Sequence, residues 1–462
     1  MTKTDVLKQN QYIVNRLLYS LDQRPPLGRT LLYAAQWLLI VLPLITITSN
    51  LMAAFLGMDQ AASTALFQRF CLVVGLVTAL QCLFGHRYPL LDGPSAALLL
   101  SVAVLGSEGL EVVAGGMLAG GLVLALLGGL GVVHRIQPLF TDLVVGTVLL
   151  LISTTLLPFL YPMVIGVGPA RPHGDPLILA LSTLIMLAIV LISHWARGFM
   201  RNLSIFLGIL LGYVLMLLMG RVQPPPVGNL SWVVLPDPFF TPGVRFTLPA
   251  ALSFLLAYLA VLINGLGSYF SVSEVVGREG LQRRIERGIA LTGGGGILSA
   301  LFGVVGTVSY SLSPGVILVT GVGSRWPVFL CGLLLVLLAF FQKVGAVISS
   351  VPSAVVGAAL FVTLAAQMGV GISVIMRQRR DMDVRDYIVV GLPLLLGTAA
   401  SMLPPETLAL FPPPTRVLVG NGLIVGIVAV LLLEHVILRI SDLTLRPGSG
   451  LESRIPEKNS GE

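Results

Sequence analysis

Tyr88-Pro-Leu-Leu-Asp-Gly-Pro-Ser-Ala-Ala-Leu98 and Tyr310-Ser-Leu-Ser-Pro-Gly-Val-Ile317 are the two stretches that decide the fold. Each opens on an aromatic residue, runs through a few extended residues, and meets a proline beside Gly or Ser. Pro94 and Pro314 suit the first turn of a helix, where the N–H that proline lacks has no partner anyway. The apolar run after each is two to three turns long, too short to cross a bilayer alone. Each therefore reads as a half-helix starting within the membrane after extended backbone. Such backbone survives at that depth only where protein buries it or where it lines a cavity. One broken segment in each half of a polytopic chain points to a transporter's substrate site.

The remaining composition agrees. Of 462 residues, 55% are apolar and only 11% are charged, against about 25% charged in soluble proteins. Spans are expected near 31–56, 67–85, 110–133, 138–160, 176–194, 203–220, 247–272, 286–304, 327–341, 351–368, 385–402 and 417–437, with half-crossings at 88–105 and 306–322. That gives an all-α polytopic membrane protein of fourteen segments. Seven per half, an odd number, places the halves in opposite orientation, a 7+7 inverted repeat. With the N-terminus in the cytoplasm, only Arg69, Arg171, Arg221, Arg245, Lys343 and Arg416 fall outside, out of 28 Lys and Arg in all. That excess of positive charge inside supports both half-crossings, since omitting either inverts everything after it.

Other classes are excluded. The charge of +7 is spread over short connections and does not suggest nucleic acid. Cys71, Cys82 and Cys331 lie in apolar runs without metal spacing. Residues 1–30 carry no cleavable signal, having no apolar core of their own. No nucleotide-binding loop follows the Gly293–Gly296 run. No cofactor, metal or enzyme active site is expected. Residues 278–287 read as a short cytoplasmic surface helix, Gln223–Gly228 and Leu410–Thr415 as stiff outer connectors, and the tail from Ser441 as disordered.

At this point the chain resembles the nucleobase–ascorbate transporter family, which includes the xanthine and uracil permeases. Gln36-Trp37 stands where the family has Gln-His, and Tyr88–Ala97 matches its third segment. Asn264-Gly-Leu-Gly-Ser268 matches the eighth span, Gly306–Gly315 the tenth segment, and Val351-Pro-Ser-Ala-Val-Val-Gly357 the start of the twelfth. The departures are informative. The family's binding glutamates fall on Asn264 and Leu312, and its histidine on Trp37. The resemblance implies a core domain (31–135 and 246–343) and a gate domain (136–245 and 344–440), between a cytoplasmic N-terminal segment (1–30) and a cytoplasmic tail (441–462). It implies nucleobase transport with proton symport across the plasma membrane, the inner membrane of a bacterium, with a small-molecule substrate, the lipid bilayer as environment and a homodimer as an expectation. An anion transporter of the same architecture, for sulfate, bicarbonate or carboxylate, is the alternative.

The residues themselves suggest a binding site. Two half-helix starts offer unpaired amides and partial positive charge, and so favour an acceptor-rich or anionic ligand. The expected donors are the amides near Ser95, Ala96, Ser313 and Gly315, with the Ser95 and Ser313 hydroxyls beside them; Ser311 and Leu312 lie in the same turn. Asn264 offers both a carbonyl and an NH₂ to a lactam or ureide edge, and Gln36 can do likewise or bond between helices. Trp37 and Tyr310 can stack on a planar ring or simply pack. Asp92, two residues before Pro94, is the candidate proton carrier or, equally, a helix cap.

Overall fold

The computed structural model describes residues 17–167, 172–197, 199–222, 225, 227–236, 243–376 and 382–438. The expected tail from Ser441, residues 223, 224 and 226 of the first proline-rich stretch, and Arg377–Arg380 lie outside these residues. Fourteen segments follow in order: α1 Leu27–Phe55, α2 Gln60–Leu83, α3 Ala96–Leu105, α4 Leu110–Gly129, α5 Asp142–Ile165, α6 Pro176–Trp195, α7 Ser204–Leu218, α8 Leu248–Val276, α9 Leu281–Leu301, α10 Ser313–Thr320, α11 Trp326–Leu338, α12 Ser353–Ile375, α13 Val384–Ser401 and α14 Gly422–Ile437. Among the described residues, eight helices are long and apolar enough to span a bilayer alone. The other six are the two half-helices, three short apolar helices, and α9, whose first turns carry Arg283, Arg284 and Arg287.

Local chemistry sets the helix starts. Asp59 caps α2 by accepting from the Ala62 amide at 2.8 Å, and Ser95 caps α3 by accepting from Leu98 N–H at 3.4 Å. Such caps satisfy orphan donors of the first turn. Before each half-helix runs a three-residue strand, β1 Asp92–Pro94 and β2 Thr307–Ser309. They pair antiparallel, with Asp92 opposite Ser309, Gly93 opposite Val308 and Pro94 opposite Thr307. The pairing satisfies extended backbone that lipid cannot hydrate.

The inverted repeat shows in the packing. α4 packs on α9, and its counterpart contact, α11 on α2, recurs in the other half. Both use glycine for close approach. A Cβ on Gly293 would meet the Ala125 amide and lie 2.6 Å from the Gly121 carbonyl oxygen; one on Gly332 would lie 2.7 Å from the Gly75 carbonyl oxygen. Small residues let membrane helices approach until their backbones touch. A second group forms where α12 packs on α5, α6 and α7, and α13 on α14 and α5.

Four local expectations are corrected. Pro94 lies in β1, before the cap residue Ser95, so only Pro314 occupies a first helical turn. Residues 281–287 open α9 rather than forming a separate surface helix, after Gly280 at φ +62°. The second proline-rich stretch contains the start of helix Pro413–Gly420, because proline suits a helix start as well as a stiff loop. An amphipathic helix, Gln342–Ser349, separates α11 from α12 and was not expected. All three cysteines are free and buried, as apolar context required.

Candidate substrate site

The crossing of β1 and β2 is a closed backbone ladder. Ser95 N–H donates to the Gly306 carbonyl and Tyr310 N–H to the Leu91 carbonyl, both at 2.9 Å. Leu91 N–H donates to the Ser313 hydroxyl oxygen at 3.1 Å. Each half-helix start is therefore tied to the other strand, and the two starts sit at one locus.

This wiring alters the expected donor set. The Ser95 hydroxyl oxygen accepts from Leu98 N–H and the Ser313 hydroxyl oxygen from Leu91 N–H, and both side chains are buried. The Ser95, Ser313 and Gly315 amides are likewise engaged, with the Gly306, Tyr310 and Leu312 carbonyls. Ser95 and Ser313 therefore hold the crossing together. Among the described residues, the open amides are those of Ala96 and Ala97 on α3, and of Ser311 and Leu312 just before α10. Of these, Ala96 alone is among the amides that the sequence named; the rest follow from a register that only the folded ladder defines.

The amide side chains behave differently. Gln36 on α1 is buried, and its Nε2 has no hydrogen-bond partner. Asn264 on α8 is half-buried, and among the described residues its carboxamide has no protein partner. One turn on, the Ser268 hydroxyl donates to the Ser309 carbonyl of β2 at 2.8 Å, which sets Asn264 one turn from the crossing. On the same side of α8, a Cβ on Gly267 would lie 3.9 Å from Val145 of α5. Trp37 is buried on α1, which packs on β1 and α3.

Tyr310 folds back on the crossing. Its hydroxyl donates to the Pro94 carbonyl at 3.0 Å, and its ring occupies the space a Cβ on Gly93 would need. Glycine at position 93 is the local reason this ring fits. Leu312, where the related family carries a carboxylate, is 36% exposed, so its side chain borders open space. Asp92 does not cap α3. It is fully buried, its Oδ1 accepting from the Ser309 hydroxyl at 2.7 Å and its Oδ2 lying 3.5 Å from His86 Nε2. Sequence reading missed His86, although it stands six residues from Asp92.

Two hollows lie away from the crossing. One of about 140 Å³ is almost wholly apolar, between Leu42, Pro43 and Thr46 of α1, Tyr213 of α7 and Val351. It lacks the donors and acceptors that a polar ring edge needs. The other, of about 370 Å³, is polar and lined by Gln137, Thr141 and Asp142 at the start of α5.

A family model described as Permease family, that of xanthine and uracil permeases, matches residues 28–406. A putative purine permease of Clostridium perfringens is 27% identical over 435 residues, covering 91% of this chain and 93% of that protein. The uric acid transporter UacT of Escherichia coli is 27% identical over 356 residues, covering 75% and 73%. Among solved structures, the transmembrane domain of the cyanobacterial bicarbonate transporter BicA aligns with a TM-score of 0.58 at 14% identity, covering 87% of this chain and 96% of that one, a likeness of fold alone. Across most of its length, this chain is a multi-pass membrane protein that belongs to the xanthine and uracil permease family.

Proposed function

We propose that the chain is a secondary active transporter of nucleobases, with oxopurines of the urate and xanthine kind as its preferred substrates. The observation that carries this reading is the pair of unpartnered carboxamides, Gln36 and Asn264, on helices that pack around half-helix starts with four open amides. A carboxamide both donates and accepts, so it can pair with a lactam edge. Open amides at helix starts favour the oxygens of an acidic base. Asn264 stands where the resembling family has glutamate, and so removes a charge that would repel an anion. Relatives named as purine and uric acid transporters support the same class.

In this reading α1–α4 with α8–α11 form the core, and α5–α7 with α12–α14 form the gate. Substrate binds between them beside Gln36, Trp37, Asn264 and residues 310–312, and one unit moves against the other. Transport is proton symport with Asp92 as the proton carrier, both termini are cytoplasmic, and the gate helices carry a homodimer contact. Arg284 and Arg325, the arginines near the crossing, donate to the backbone carbonyls of His86, Arg87 and Cys82, which leaves an inorganic anion no cationic clamp.

Counterflow in proteoliposomes tests the substrate class. Liposomes preloaded with unlabelled xanthine should accumulate labelled xanthine and urate. External urate, xanthine or uracil should compete, and sulfate or bicarbonate should not. Competition by sulfate or bicarbonate alone would replace this reading with the anion-transporter one.

A further inference from the structure

Asp92 and His86 are both completely buried, and each has one atom without a hydrogen-bond partner, Oδ2 and Nε2, which lie 3.5 Å apart. The backbone assigns the imidazole's tautomer. His86 Nδ1 accepts from the Tyr88 amide at 2.9 Å, so in the neutral ring the proton is on Nε2, aimed at the carboxylate. The ring is held by stacking on Tyr88 and contact with Tyr269.

The other carboxyl oxygen meets a hydroxyl with two choices. Ser309 Oγ lies 2.7 Å from Asp92 Oδ1 and 3.4 Å from the Tyr269 hydroxyl, and it has a single proton to give. Charged and titratable neighbours come from every side. α2 supplies Cys82, which donates to the Tyr88 carbonyl, and Thr78, which donates to the Asp92 carbonyl. α8 supplies Tyr269, and β2 leads into Tyr310, whose hydroxyl is turned to Pro94. α9 supplies Arg284, which donates to the His86 and Arg87 carbonyls, and the turn before α11 supplies Arg325, which donates to the Cys82 carbonyl and pairs with Asp22 at 2.8 Å. Among the described residues no cation pairs with the Asp92 carboxylate except through His86.

We propose that Asp92, His86, Ser309 and Tyr269 form the proton-binding site of the transporter, with the Ser309 hydroxyl as the rotor that reports proton occupancy to α8; this rests on the transport reading above. With Asp92 ionised, the Ser309 hydroxyl donates to Oδ1 and His86 Nε2–H lies beside Oδ2. One arriving proton bonds to Oδ1. The new Oδ1–H donates to Ser309 Oγ, and the Ser309 hydroxyl turns to donate to Tyr269. His86 stays beside Oδ2, and departure of the same proton restores the first arrangement. The rotation is felt on α8 because that helix holds Ser309 twice, through Tyr269 and through the Ser268 hydroxyl on its carbonyl. Asn264 is one turn from Ser268, and the Ser268 hydroxyl also bonds the Asn264 carbonyl at 3.0 Å. Proton and substrate are thus linked across five residues of one helix. Ser309 is a positioning residue: it touches the proton's carrier, not the substrate.

The test uses full-length protein in liposomes containing a pH-sensitive dye, with two readouts: xanthine counterflow, which needs no net proton movement, and proton influx on adding external xanthine. Ser309→Ala should keep counterflow but reduce xanthine-driven proton influx at least tenfold, within the range of ordinary coupling energies. It should also flatten the rise of uptake as external pH falls. Ser309→Thr, which restores a hydroxyl, should restore both. Asp92→Asn should lose xanthine-driven proton influx. Undiminished proton influx in Ser309→Ala, or equal loss in Ser309→Thr with counterflow intact, overturns the assignment. A wild-type protein that exchanges no base at all overturns the transport reading instead, a result seen in the first readout.

Discussion

Gly293→Leu should abolish recovery of folded protein, while Gly294→Leu should be tolerated. The two glycines are adjacent on α9 and face opposite surroundings. Any Cβ at 293 runs into the Ala125 backbone on α4, with the Ala125 Cα and Gly121 carbonyl oxygen at 2.6 Å; at 294 nothing lies within 4 Å. Backbone atoms cannot turn aside as a flexible side chain can, so α4 and α9 must separate along their whole contact. Overpacking costs about 1–3 kcal/mol for a few methylenes and more where the neighbour is rigid. Replacing an exposed helical glycine instead gains up to about 1 kcal/mol in propensity. Gly332→Leu should match Gly293→Leu, because it strikes the repeat-related contact with α2. The check is size-exclusion chromatography of detergent-solubilised fusions: a monodisperse peak for Gly294→Leu, and aggregate for the other two. Equal behaviour of all three would mean that these helices do not meet backbone to backbone.

Asn264→Leu should cripple base binding without harming the fold. The replacement is close in volume, the position is half-buried, and the native carboxamide holds no protein partner among the described residues. What it removes is a donor and an acceptor for the substrate. Leaving two polar atoms of a bound base unpaired costs about 1–3 kcal/mol each, which is about thirtyfold or more in Kd. Labelled xanthine binding to purified protein should show that loss, and thermal unfolding of the unliganded protein should stay unchanged. Undiminished affinity would remove Asn264 from the site.

Much of this could be read from the chain because bilayer physics leaves few choices. Each long apolar run became a helix, and the short runs after Asp92 and Tyr310 became half-helices. What failed depended on long-range register. Pro94 is a strand residue because Thr307 lies opposite it, a pairing with no local signal. The Ser313 hydroxyl looks free in sequence, yet its oxygen accepts from the Leu91 amide, 222 positions away. His86 passed as an ordinary loop residue; only folding brings its Nε2 to Asp92. The helix Gln342–Ser349 was missed because its polar Gln342 and Lys343 break the apolar run that marks a span.

Substrate protection of a single introduced cysteine at Ser311 tests the location of the site most directly. This residue is half-buried beside α10, and the native Cys71, Cys82 and Cys331 are buried and so give little background labelling. If base binds where the two half-helices begin, saturating urate or xanthine should slow maleimide labelling of Ser311→Cys by about tenfold or more, as expected at concentrations well above Kd, and sulfate should not. Labelling at an unchanged rate in the presence of a base that the same protein transports would place the site elsewhere and contradict the account.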